Sequence, residues 1–140
     1  MEWLFWAALS ALFAGATAVL AKIGVAEINS NLATAIRTTV ILLFTWIIAA
    51  ATSRGAGEFF SIGRKTWLFL ILSGVGTGLS WLCYFRALQL GEVSKVAPID
   101  KLSVVIAISL SIAFLGEKLN WRDGIGAGLI VLGAIVLAWR

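Results

Sequence analysis

The sequence contains no histidine, and cysteine and proline occur once each, as Cys83 and Pro98. Without histidine, neither a Cys/His zinc site nor a Ser-His-Asp nucleophile can be built. A single cysteine forms no disulfide within the chain. The few acidic residues form no evident acid/base or metal cluster. We therefore expect a protein that is not an enzyme and that uses neither a metal nor another cofactor.

Charged residues are also scarce. They make up 13% of the 140 residues, against 61% hydrophobic ones, and the mean hydropathy is +1.00. A soluble domain carries about 25% charged residues, so too few polar groups remain here to cover a water-facing surface. The net charge of +4 comes from basic residues that lie singly or in pairs at the ends of apolar runs. A bilayer tolerates them there. Since no basic stripe forms, we expect the lipid bilayer and not nucleic acid as a partner.

Long apolar runs divide the chain into five predicted transmembrane helices. A spanning helix needs about 20 mostly apolar residues, and a chain with one proline can form such helices without interruption. Spans 1, 3 and 5 lack the polar face that a soluble helix carries, and the alternation typical of a membrane barrel is absent. We predict an all-α, polytopic membrane protein with a single domain over residues 1–140. Its predicted spans cover residues 3–23, 31–52, 66–88, 94–115 and 123–139.

Residues at the ends of these runs predict where the helices begin and end. Gly91 and Gly116 follow apolar runs, as glycine commonly does at helix C-termini. Ser94 is placed to cap the fourth span. Asn120, with Asp123 three residues later, is typical of a capping box at the start of the fifth span.

Glycines recur at a spacing of four residues in two of the spans. Gly74 and Gly78 form such a pair in the third span, and Gly124 and Gly128 form one in the fifth. Small residues at this spacing let helix backbones approach closely in lipid. They predict tight helix packing, either within one bundle or, chiefly for Gly124 and Gly128, across a dimer interface.

Three charged residues stand out because they lie within predicted spans and away from the span ends: Arg37, Asp100 and Lys101. Charges at membrane depth are costly, so each is a functional-site hypothesis by default. Pro98 removes one backbone hydrogen bond, which predicts a helix break that opens onto a polar cavity. Asp100 and Lys101 are neighbours about 100° apart on a helix, and this separation predicts that they do not pair with each other.

Functional and structural interpretations of these residues both stay open. In the functional one, Asp100 is a proton or cation site, and Lys101 or Arg37 contacts an anionic group of the substrate. In the structural one, Lys101 reaches the membrane interface, Asp100 pairs with Arg37, or Arg37 anchors the start of the second span. Trp81, Tyr84 and Phe85 cluster in the third span, with Trp46 in the second. These aromatic residues either pack against lipid and core or form a wall on which substrate stacks.

Basic residues outside the spans or at their ends are nearly balanced between the two faces of the membrane. With five spans, the N-terminus shares one face with the second and fourth connections. That face holds Arg54, Arg64, Lys65, Lys118 and Arg122, and the opposite face holds Lys22, Arg86, Lys95 and Arg140. Five residues against four give at most a weak orientation preference under the positive-inside rule. Such a chain can insert both ways and pair as an antiparallel homodimer, the two-chain equivalent of an inverted repeat.

Two motifs stand out in the second half of the chain. Residues 84–99 have the sequence YFRALQLGEVSKVAPI, and residues 115–118 have the sequence LGEK, followed by a glycine-rich last span. Together with Lys22 and Arg37 near the first connection, they resemble the EamA-domain proteins of the drug/metabolite transporter superfamily. The resemblance covers essentially the whole chain, and it is not specific for a substrate.

This resemblance implies a secondary transporter of small metabolites or drug-like compounds in the inner membrane of the cell, with export as the commoner direction. Typical members carry two repeats in opposite orientations, whereas this sequence shows one. The half-size form implies a homodimer. It is similar in this to the small multidrug resistance proteins, which use a glutamate in their first span for proton coupling. The first span here has no acid, which leaves Asp100 as the candidate.

Two alternatives accompany the transporter hypothesis. Half-size members of the superfamily also suggest a lipid-carrier flippase or a subunit of one. A membrane interaction protein that transports nothing is the other alternative, and it predicts that Asp100 and Lys101 serve folding or assembly only.

Overall fold

The computed structural model describes residues 2–53, 55, 57 and 60–139. The elements that position the site are helices. They are α1 (Glu2–Gly24), α2 (Ser30–Thr52), α3 (Arg64–Leu90), α4 (Val93–Asp100), α5 (Ser103–Leu110), a π-helical turn (Ser111–Leu115) and α6 (Trp121–Ala138). Arg54 and Arg140, which enter the charge balance between the two membrane faces, lie outside the described residues.

Within the described ranges, five helical stretches are long and apolar enough to cross a membrane. Four of them are α1, α2, α3 and α6, and the fifth is Val93–Leu115, which joins α4, α5 and the π-helical turn. The shortest has 18 residues and the longest 27. At about 1.5 Å per residue, even the shortest comes close to the hydrocarbon thickness of about 30 Å. The prediction of an all-α membrane protein with five transmembrane helices is confirmed.

Large apolar side chains cover the surfaces of these helices. Phe13 and Phe44 each expose 62% of their surface, and Val136 exposes 71%. In water, exposed apolar area costs about 25 cal/mol per Å², whereas lipid tails are as apolar as these side chains. The helix surfaces therefore suit a bilayer.

Hydroxyl groups along α2 are satisfied inside the helix itself. Thr38 Oγ1 donates to the carbonyl oxygen of Thr34 at 2.8 Å, and Thr45 Oγ1 donates to that of Ile41 at 2.8 Å. Where no water reaches, a polar side chain needs such an internal partner. The threonines of α2 are thus compatible with membrane depth.

Two of the predicted helix ends are confirmed. The backbone N–H of Asn120 donates to Asp123 Oδ2 at 3.0 Å, as part of a capping box at the start of α6. Gly116 ends the π-helical turn with φ of 68°. A left-handed backbone of this kind favours glycine because a Cβ atom would strain it.

The start of α4 differs from the prediction, since its N-cap is Glu92 and not Ser94. The chain turns directly after Gly91, and the carbonyl oxygen of Glu92 already accepts the N–H groups of Lys95 and Val96, each at 3.0 Å. Ser94 consequently lies inside the first turn, where its side chain cannot act as the cap.

The fourth span is not a continuous α-helix. Pro98 lies inside α4, and the helical run breaks after it, between Asp100 and Ser103. Around the break, the N–H of Leu102 donates to the carbonyl of Ile99 at 3.0 Å, a bond to the third residue back that tightens the backbone. The break thus lies beyond the proline, not at it.

The chain divides into two compact units. Unit 1 comprises residues 2–22 and 90–139, and unit 2 comprises residues 23–89. In unit 1, α4 packs against α6, and Lys22 Nζ donates to the carbonyl oxygen of Gly91 at 2.8 Å. In unit 2, the most deeply buried apolar side chains are Val25, Phe85 and Leu88, which lie near the α1–α2 connection and the end of α3.

The glycine pairs have open space around them in the described part of the chain. At Gly74, Gly78 and Gly128, no atom lies within 4 Å of the position that a Cβ would take, and at Gly124 the nearest is Leu119 Cδ2 at 3.8 Å. Helix packing through these glycines stays a prediction, because a partner helix or lipid could occupy this space equally well.

Candidate functional site

An arginine stacked on aromatic rings is the main feature of unit 2. The guanidinium carbon of Arg37, on α2, lies 4.4 Å from the ring centroid of Trp81 and 5.4 Å from that of Phe85, both on α3. Trp81 and Phe85 are four residues apart and therefore share one face of their helix. Both distances are within the range of cation–π attraction.

Unit 2 brings together three of the predicted site residues. They are Arg37, Trp81 and Tyr84, the last lying three residues after Trp81 on α3. Phe85, which the sequence groups with Trp81 and Tyr84 as an aromatic cluster, joins them through its contact with Arg37. We refer to Arg37, Trp81, Tyr84 and Phe85 as the Arg37 cluster.

The guanidinium of Arg37 is half-buried, and its described contacts within unit 2 are aromatic. Glu27 is the only described acid of that unit, and it forms no ion pair with Arg37. No hydrogen bond from Arg37 to a described residue of unit 2 is present either. Since a guanidinium carries five N–H donors, the cluster offers donors without protein acceptors at membrane depth.

The other predicted charges lie in unit 1, at the break of the fourth span. Lys101 Nζ lies 3.5 Å from Asp100 Oδ2, so the prediction that the two do not pair is wrong. The reason is that α4 ends at Asp100 and Lys101 lies in the turn beyond it, where helical spacing no longer separates the side chains. A cation at this place also complements the C-terminal end of the helix dipole.

A cleft of about 410 Å³ lies elsewhere in unit 1, between the π-helical turn and the start of α6. Apolar side chains such as Ile108, Ile112 and Ile130 line it, together with the charged Glu117, Lys118 and Arg122. The cleft was not predicted, because its walls meet only through tertiary packing. Its composition suits an amphipathic molecule.

Comparison with known proteins identifies relatives of the chain. The EamA-like transporter family matches residues 1–139. An uncharacterized transporter encoded in the cobO 3' region of Sinorhizobium sp is 55% identical over 137 residues, which cover 98% of this chain and 96% of that protein. No solved structure matches the chain significantly.

Two further relatives are more distant. The uncharacterized transporter YxxF of Bacillus subtilis is 27% identical over 141 residues, covering 98% of this chain but 43% of that protein. The probable 4-amino-4-deoxy-L-arabinose-phosphoundecaprenol flippase subunit ArnE of Aeromonas hydrophila is 27% identical over 74 residues, covering 53% of this chain and 63% of that protein. With the family match along residues 1–139 and a transporter of the same size as a relative, the chain belongs to the EamA-like transporter family, as a multi-pass membrane transporter carrying one copy of the repeat.

Proposed function

We propose that the chain is a secondary transporter that exports small metabolites or drug-like compounds across the inner membrane as a homodimer. The observation that carries the proposal is the match of a transporter family to residues 1–139. The family, together with relatives named as transporters, points to transport and not to enzymatic chemistry.

A dimer supplies the second half that a transporter with internal repeats has and a single repeat lacks. In transporters with internal repeats, one half rocks against the other around a binding site near the membrane midplane. Two copies of this single-domain chain would provide the two halves. The nearly balanced basic residues support an antiparallel arrangement, and the open space at Gly124 and Gly128 leaves room for a second helix.

The proposal gives a separate role to the residues at membrane depth in each of the two units. Asp100 serves as the proton or cation site, and Lys101 at 3.5 Å compensates its carboxylate while no ion is bound. Arg37, Trp81 and Tyr84 form the substrate wall. The broken backbone next to Asp100 supports the assignment, since irregular backbone at membrane depth is tolerated where it is buried in protein or faces a water-filled cavity.

Purified protein in liposomes tests the proposal. Flux of radiolabelled amines, amino acids and sugars is measured with and without a proton gradient, using protein-free liposomes as the control. We expect at least one compound class to move faster in the presence of the gradient. Absence of flux above the control for every class would contradict the transporter proposal.

A flippase subunit is the second candidate, and the similarity to the Aeromonas flippase subunit favours it. The amphipathic cleft beside the π-helical turn adds support, because a lipid-linked compound has both polar and apolar parts. Mass spectrometry of the detergent-purified protein distinguishes the two: a copurifying lipid-linked molecule supports the flippase, and its absence together with soluble-substrate flux supports the exporter.

A further inference from the structure

We infer that the Arg37 cluster binds compounds through an oxyanion, a carboxylate or a phosphate, which accepts hydrogen bonds from the N–H groups of Arg37. The inference rests on the proposed transport function, and it names the chemical class that the site accepts. Trp81 and Phe85 act as positioning residues, because they hold the guanidinium and leave its donors to the ligand.

The position of Arg37 over two aromatic rings leaves its N–H donors for a ligand. The guanidinium carbon lies 4.4 Å from the ring centroid of Trp81 and 5.4 Å from that of Phe85. Neither an indole nor a phenyl ring carries an oxygen or nitrogen acceptor for the N–H groups of Arg37. These donors form a fork whose geometry matches two oxygens of a carboxylate or phosphate.

The positive charge of Arg37 favours a negatively charged ligand. Arg37 lies seven residues after Ser30, the first residue of α2, or about 10 Å along the helix at 1.5 Å per residue. It carries a positive charge inside a transmembrane helix, and no described acid of unit 2 forms an ion pair with it. An unpaired charge at that depth is costly. An anionic ligand supplies the missing counter-charge and the missing hydrogen-bond acceptors at once.

The same facts disfavour the opposite class of ligand. An organic cation bound beside these rings would be repelled by the charge of Arg37. A neutral ligand could fill some of the donors but leaves the charge uncompensated. The cluster is therefore selective for negative charge.

Direct binding to the purified full-length protein in detergent tests the inference. Calorimetry compares benzoate with benzamide, and phenyl phosphate with phenol, because each pair differs mainly in the charged group. We expect the anion of at least one pair to bind ten-fold or more tighter than its neutral analogue. Equal binding within both pairs, or no binding of either anion, would overturn the inference.

Three variants locate the binding. Arg37→Lys keeps a positive charge but loses the bidentate edge, and we expect the anion to bind about 10–100-fold more weakly, as for the loss of a charge-assisted hydrogen bond. Trp81→Leu removes the stacking surface and should reduce the preference for the anion over its neutral analogue. Arg64→Lys, an exposed arginine at the start of α3, is the matched control and should bind as the wild type does.

The oxyanion has two sources, a soluble compound or the phosphate of a lipid, and they are separated by experiment. Native mass spectrometry after addition of phosphatidylglycerol measures how much lipid the wild type and Arg37→Lys retain. Lipid retained only by the wild type identifies a lipid phosphate as the ligand. Equal retention, with benzoate or phenyl phosphate still dependent on Arg37, identifies a soluble anion. If neither ligand depends on Arg37, the inference fails.

Failure of the inference and failure of the proposed function give different results. If amines or sugars are transported equally by the wild type and Arg37→Lys, and no anion binds, the oxyanion site is contradicted but the transport function is supported. If an anion binds and its binding depends on Arg37, but no compound is transported, the site is supported and the proposed function is contradicted.

Discussion

Gln89 connects the end of α3 to the link between α1 and α2. Its Nε2 group donates to the carbonyl oxygen of Ile28 at 2.9 Å and to that of Val25 at 3.4 Å, while its Oε1 accepts from Arg86 at 2.7 Å. One side chain thus supplies acceptor and donors to three different residues. Because backbone carbonyls in a connection have no helical partner and still need donors, this amide stabilises the link between α1 and α2.

Gln89→Glu tests that role, because glutamate can still accept from Arg86 but cannot donate to the two carbonyls. We expect a loss of about 1–2 kcal/mol, as for one or two hydrogen bonds, seen as a lower midpoint of thermal unfolding in detergent. Glu92→Gln is the control, since it removes an exposed ion pair at 3.6 Å to Lys95 that contributes little. Equal midpoints for Gln89→Glu and the wild type would contradict the role of the amide.

Asp100→Asn tests the proposed ion site. The amide keeps the size of the side chain but cannot bind and release a proton. We expect flux driven by the proton gradient to fall to the background, while exchange of labelled for unlabelled substrate continues. Asp100→Glu should recover part of the driven flux, and Glu92→Gln should leave it unchanged. Driven flux in Asp100→Asn equal to that of the wild type would exclude Asp100 as the coupling group.

Which residues form the site was only partly predictable. Arg37, Asp100 and Lys101 were predicted because a charge within an apolar run is visible in the sequence. Their partners were not, since the contact between Arg37 and Trp81 joins positions on two helices. The pairing of Asp100 with Lys101 depends on where the helix breaks. A break was predicted from Pro98, but it lies beyond the proline, between Asp100 and Ser103.

The connection after the fourth span provides a test of a helix ending. Gly116 has φ of 68°, and no neighbour lies within 4 Å of the position that a Cβ would take. Gly116→Ala should therefore destabilise through backbone strain alone, by about 1 kcal/mol. Gly133→Ala, in α6 with equally open space, should stabilise by about 0.5–1 kcal/mol, since alanine is the better helix former. Thermal unfolding in detergent measures both, and a shift of the same sign in both variants would refute the argument.

The helices follow from the sequence more completely than their irregularities do. Each transmembrane helix corresponds to an apolar run, because in lipid a chain must satisfy its own backbone. Pro98 predicted a break in the fourth span but not its place at Lys101, and the π-helical turn at Ser111–Leu115 has no sequence signal at all. Both lie in uniformly apolar or helix-compatible sequence, and tertiary packing decides between α, 3₁₀ and π hydrogen bonding there.

A dimer formed through α6 makes the glycine pair Gly124 and Gly128 a contact surface between two copies. Gly128→Leu should then raise the monomer fraction in liposomes, since a large side chain holds the helices apart. Gly133→Leu adds the same bulk about 140° around the helix and should leave the dimer intact. Single-molecule photobleaching of labelled protein counts the copies. Dimers in both variants would exclude this face of α6, and the pair Gly74 and Gly78 on α3 would be tested in the same way.

Insertion in both orientations depends on the balance of five basic residues on one face against four on the other. Replacing Arg64 and Lys65 by glutamine leaves three basic residues on the face of the N-terminus against four on the face of the C-terminus. It should shift the C-terminus towards the cytoplasm under the positive-inside rule. Lys95→Gln leaves five basic residues on the first face against three on the second, and it should shift the C-terminus to the opposite side. Reporters fused to the C-terminus, one active in the cytoplasm and one active outside it, measure the two populations. For the wild type we expect signal from both reporters. An antiparallel homodimer requires both orientations in one membrane. Reporter signal on one side only, unchanged in either variant, would therefore contradict it and indicate a parallel dimer or a different protein as the partner.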